Sequence, residues 1–144
     1  NFALGGVVLM HLAGIASKYF DYADLLESHH EMKVDAPSGT ALSIAESMIE
    51  GRGKGFEQNV ADLQTLDGTR GGDFQGINVH SARMPGRVAR HEVVFGALGQ
   101  TLTMIHDSIN RESFMPGVML GVKDVVGRSE LVVGLASVLG LDKP

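Results

Sequence analysis

A change of periodicity at Asp35-Ala36-Pro37 limits what this chain can fold into more than any other feature. Before it, Ala23 to His30 is short, mixes apolar with polar positions and reads as a strand running into a loop. After it, Ala41, Leu42, Ile44, Ala45, Met48 and Ile49 recur with a helical period as far as Gly51. Pro37 biases Ala36 away from helical backbone, so the helix should start between Ser38 and Thr40. A strand delivered to a helix mouth sets the unpaired first-turn N–H groups, and the positive end of the dipole, beside the strand's last side chains. That is a seat for a carboxylate or phosphate. Gly39 lets a ligand come close to the backbone, and the hydroxyls of Ser38 and Thr40 add hydrogen bonds. The plainer role for Ser38 or Thr40 is an N-cap.

Two imidazoles and an ammonium lie beside this mouth. On extended backbone His29 and His30 point to opposite faces, so they should do different work. Lys33 supplies a full positive charge from the loop. Together these make a proton-handling site next to an anion site. A metal site from Glu27, His29, His30 and Asp35 ranks below it, because neighbours on opposite strand faces do not readily share one ion.

Elsewhere, Leu4, Val7, Val8, Leu12, Ile15, Ala16 and Tyr19 form a helical stripe between Leu4 and Phe20, with His11 and Lys18 on the surface. Gly51 to Gly76 has weak periodicity and reads as surface loop. Its Gly51-Arg52-Gly53-Lys54-Gly55 and Gly68-Thr69-Arg70-Gly71-Gly72 runs lack the spacing of a phosphate-binding loop, and Arg70 could approach a partner subunit. Three strands are expected at Ile77–Arg83, Val88–Phe95 and Thr101–Ser108, with the short links at Pro85-Gly86 and Gly99-Gln100 favouring antiparallel neighbours. With the strand before His29 they make an α+β fold: a four-stranded mixed sheet whose one face is covered by the helices of the first fifty residues. His80, His91 and His106 fall one on each strand, read as polar residues of an interface or solvent face rather than metal ligands. Arg83, Arg87 and Arg90 suit an anion or, by preference, a subunit contact. Phe114, Val118, Val122, Val125 and Val126 predict a helix over 114–126 that Gly127 ends, and Leu131 to Leu141 is apolar enough to be buried.

At 144 residues one core needs no staples, and with no cysteine there is neither disulfide nor thiolate chemistry. A formal charge of −5 argues against nucleic-acid binding. No apolar run approaches a membrane span, which points to a cytoplasmic protein without a membrane partner.

The run His29-His30-Glu31-Met32-Lys33-Val34-Asp35-Ala36-Pro37-Ser38-Gly39-Thr40-Ala41 closely resembles the signature of the dihydrodipicolinate reductases. The likeness continues through Asn1-Phe2, Gly76 to Gly86, Gly99 to Thr103 and Arg111 to Phe114, and covers the second part of such an enzyme. It implies NAD(P)H-dependent reduction of 4-hydroxy-tetrahydrodipicolinate in lysine and diaminopimelate biosynthesis. His29 matches the family's proton donor and Lys33 its second catalytic residue; His30, Ser38, Gly39 and Thr40 match substrate-binding positions. By the same likeness Asn1 and Phe2 touch the dinucleotide, NADPH or NADH, which is bound mainly by a Rossmann domain expected before Asn1. No Gly-x-Gly-x-x-Gly follows a strand here, so the isolated chain should be inactive. The family also implies that the 128–144 tail packs on that domain and that the open sheet faces of four subunits meet in a homotetramer. The alternative of a different class is a non-catalytic dicarboxylate-binding or oligomerisation module.

Overall fold

In the computed structural model, which describes residues 1–59 and 63–141, the expected strand and helix on either side of Pro37 are both present. Helix α1 (Leu4–Ala16) continues into a 3-10 turn at Ser17–Tyr19, then strand β1 (Tyr22–His29) leads to helix α2 (Gly39–Arg52). Strands β2 (Gly72–Phe74), β3 (Ile77–Arg83), β4 (Ala89–Ala97) and β5 (Gln100–Ser108) follow, then a 3-10 turn at Arg111–Phe114, helix α3 (Met115–Val125) and the short α4 (Leu135–Val138). No helix among the described residues is long and apolar enough to cross a membrane.

The sheet is mixed and its order is β2-β3-β1-β4-β5. It has five strands rather than the expected four. The extra one, β2, lies within the stretch read as loop, of which residues 60–62 are outside the described part. β2 joins β3 through Gln75 and Gly76, both at positive φ (53° and 92°), a hairpin turn that glycine makes accessible. The second difference concerns neighbours: β3 and β4 were expected side by side, but β1 lies between them. It runs parallel to β3 (Ala23 opposite Ile77, His29 opposite Arg83) and antiparallel to β4 (His29 opposite Ala89). The link through Pro85-Gly86 therefore spans a strand, whereas β4 and β5 do pair as antiparallel neighbours.

On the covered face Ala23, Leu25, Ile77, Val79, Val93 and Phe95 pack against Leu9 and Ala13 of α1 and Ala41, Ile44, Ala45 and Met48 of α2. The opposite face carries the exposed Leu26 and Ile105. The buried stripe of α1 is rotated from the expected one: Gly6, Val7, Leu9, Ala13 and Gly14 are buried, while Val8, Leu12 and Tyr19 are exposed and His11 is half-buried. Close approach of the two helices explains the shift, because small residues at the crossing bring backbones together. A Cβ on Gly51 would sit 2.0 Å from the Gly14 carbonyl oxygen and 2.9 Å from Ser17 Oγ. Gly51→Ala should therefore destabilise the fold by about 1–3 kcal/mol, read as a lower urea midpoint with an unchanged slope.

The C-terminal segment is only partly covered by the rest of this chain. In 131–141 only Leu135 is buried, where the four-residue α4 meets α3 and α1; Leu131 and Val133 precede that helix and are exposed. Val122, Val125 and Val126 are exposed likewise.

Candidate active site

Strand alternation continues the covered face past Leu25 to Glu27 and His29, so the end of the apolar column becomes polar. The Glu27 side chain is 0% exposed. Its carboxylate accepts two parallel bonds from the Arg83 guanidinium, at 2.8 and 2.9 Å, and one from the Ser38 amide at 3.2 Å. His29 Nδ1 lies 2.5 Å from Glu27 Oε2. Burial alone would raise the Glu27 pKa, but hydrogen bonds from Arg83, Ser81 and His29 outweigh it and hold the group below its ordinary value. Glu27 is thus an anion at neutral pH, and the His29 proton facing it belongs on Nδ1. His29 Nε2 has no hydrogen-bond partner among the described residues.

Two further imidazoles stand on the same face. His91, opposite Glu27 on β4, places its ring 5.3 Å from that of His29, edge to face, with Nε2 3.2 Å from Ser38 Oγ. Burial, then the neighbouring His29 charge, pushes His91 down to about 4, so it is neutral near pH 7. His106, opposite His91 on β5, is lowered by burial.

At the helix mouth Ser38 is the N-cap: its Oγ accepts the Ala41 N–H at 3.2 Å, while its own N–H is taken by Glu27. Ser38 therefore supports the helix start from beneath. A Cβ on Gly39 would meet nothing within 4 Å, which leaves the first turn open above it. Asn1 Nδ2 donates to Thr40 Oγ1 at 3.4 Å. Lys33 Nζ donates to both Asp35 carboxylate oxygens, at 2.7 and 2.9 Å, and the bond from Lys33 chiefly draws the Asp35 pKa down. The Asp35 carbonyl accepts from Arg83 at 2.6 Å, and Ala36-Pro37 is a cis peptide.

His29, His30, Lys33, Thr40 and Asn1 line one cavity of about 460 Å³. Ser38, Gly39 and Phe2 are not in its wall; Phe2 lines a second, more apolar hollow of about 430 Å³ with Val122, Val125 and Leu131. Asn1 borders both. His91, His106 and Arg111 join the first cavity, and sequence reasoning had assigned none of them to it. Nor had it paired Arg83 with Glu27, although strand register is the signal that links them. Of the arginines weighed as subunit contacts, Arg83 is inside the site, Arg87 pairs with Asp107 at 3.2 Å and Arg90 with Glu92 at 2.6 Å. Among the described residues no cluster is able to hold a metal ion: Glu27 is committed to Arg83 and Asp35 to Lys33.

A family model described as dihydrodipicolinate reductase, C-terminus, matches residues 5–139. The 4-hydroxy-tetrahydrodipicolinate reductase of Dehalococcoides mccartyi is 48% identical over 141 residues, 98% of this chain and 53% of that protein. The one from Streptococcus pneumoniae is 53% identical over 140 residues, 96% of this chain and 54% of its own. The chain therefore spans about half the length of the curated relatives it matches. Among solved structures, a dipicolinate-bound dihydrodipicolinate reductase from Paenisporosarcina sp. TG-14 superposes with a TM-score of 0.85 at 42% identity, covering 95% of this chain and 52% of that one.

Proposed function

Because the chain belongs to the dihydrodipicolinate reductase family, matching its C-terminal part, we propose that the cavity at the mouth of α2 is the substrate site of a 4-hydroxy-tetrahydrodipicolinate reductase. The observation that carries this reading is the gathering of His29, His30, Lys33, Thr40 and Arg111 around one cavity. The substrate is a six-membered ring bearing two carboxylates. One carboxylate docks at the first turn of α2 beside Thr40, where the helix dipole and N–H groups favour an anion and Gly39 leaves open space. Lys33 and Arg111 supply the fixed positive charge, and His30 adds a hydrogen bond from the rim. His29 delivers the proton from Nε2. When bound, the reduced nicotinamide supplies the hydride that this proton complements, water leaving as the 4-hydroxyl is lost.

Asn1 fits the role of a cofactor contact, since it borders both the polar cavity and the apolar hollow beside Phe2. A nucleotide domain seated over Phe2, Val122 and Val125 would cover the apolar residues exposed there, and association of four copies would cover Leu26 and Ile105. The direct test is an assay of the full-length protein with NADPH and with NADH. Substrate-dependent loss of reduced-nicotinamide absorbance is expected with at least one of them, and none from residues 1–144 alone. Failure with both coenzymes at saturating substrate overturns the reading.

A further inference from the structure

Resting on that reading, we propose that Glu27 is a positioning residue for the reaction: clamped by Arg83, it fixes the tautomer and direction of His29 so that Nε2 is the atom that gives the proton. The carboxylate cannot turn, because Arg83 holds both of its oxygens and the Ser38 amide holds one. Its Oε2 is 2.5 Å from Nδ1, within a pair that water barely reaches, with side-chain exposures of 9% for His29 and 0% for Glu27. A carboxylate on one ring nitrogen makes the other the exchangeable one. In the transfer the Nε2–H bond breaks, its electron pair stays on nitrogen, and the proton forms the new bond on the substrate. The ring left behind still carries hydrogen on Nδ1, so Nε2 is free to reload from water.

The charges around His29 fit this use. Glu27 on its own strand is balanced by Arg83 on β3. His91 on β4 is neutral near pH 7 and so does not repel an imidazolium, and His106 lies beyond it on β5. The loop to α2 contributes Lys33, itself tied to Asp35, while His30 and Arg111 complete the cavity's set. The Glu27–Arg83 pair thus aligns the imidazole while adding no net charge to the cavity.

The test uses the full-length protein and two variants. In Glu27→Gln, kcat should fall about 100-fold while KM for the substrate stays within about 3-fold, because alignment is lost but not the anion seat. The alkaline limb of the kcat/KM profile should move to lower pH, since Gln removes the carboxylate charge beside Nδ1 and leaves the Arg83 charge opposing an imidazolium. A far-downfield imidazole N–H proton resonance should be present in the wild type and absent from the variant. Glu27→Asp keeps the charge and the Arg83 pair but draws the oxygen away from Nδ1. It should restore the limb and leave kcat about 10-fold down. Wild-type rate and profile in both variants would overturn the proposal; so would a fall in kcat with the limb and the resonance unchanged, the mark of a merely structural role. The resonance needs no turnover. A wild type that shows it yet reduces nothing would overturn the functional reading and leave the Glu27–His29 pairing standing.

Discussion

Full-length protein carrying His29→Gln should turn over substrate about 10³-fold more slowly than the wild type, within the span that general acid catalysis contributes. A glutamine amide can still donate to the buried Glu27 carboxylate, so the Arg83–Glu27 pair keeps its environment and the fold should hold. What disappears is an imidazole Nε2 able to give up a proton and take one back, which an amide does not do. Thermal unfolding recorded beside the kinetics separates the two effects. A midpoint within about 2 °C of the wild type is expected, a shift of no more than about 1 kcal/mol. Near-normal kcat in a folded variant would remove His29 as the proton donor.

Lys33→Ala should lower kcat/KM about 100-fold, a loss of roughly 3 kcal/mol in transition-state binding. The ammonium reaches the cavity while held by Asp35, so it is preplaced and already paired. An incoming carboxylate has to share or displace that partner, and the exposed position of Asp35 makes the exchange cheap. The variant keeps the His29–Glu27 pair, so its pH profile should retain the wild-type shape while the affinity drops. Salt should weaken substrate binding to the wild type more than to the variant, because one fixed charge has been removed. Both results come from steady-state kinetics at two ionic strengths; equal salt dependence would argue that Lys33 meets no anion.

The half of the site that lies close along the chain was legible in the sequence. His29, His30, Lys33 and Thr40 fall within twelve residues, and the strand, the proline and the helix that place them each leave a local mark. Arg83 was not legible, because its partner Glu27 lies 56 positions earlier and only strand register brings them together. The same reason hid His91 and His106, which face the cavity through pairing across β1, β4 and β5. Short links favoured β3 and β4 as neighbours, yet β1 takes the place between them. Loop length reports direction but is silent about a strand that arrives from fifty residues upstream. β2 escaped notice because Gly72-Asp73-Phe74 is too short to alternate. In α1 the largest apolar side chains misled: the crossing with α2 selects for small residues, so Gly14 is buried where Leu12 is not.

β1 occupies the middle of the sheet and is bonded on both edges from end to end. Its backbone amides from Leu25 to His29 should consequently be among the last in the molecule to exchange with deuterium, opening only when the whole domain does. The imidazole proposed as the proton donor is then mounted on the central strand, whereas Lys33 and Arg111 come from a loop and a 3-10 turn outside the sheet. Ligand binding should slow isotope uptake in those two places and leave the central strand as it was.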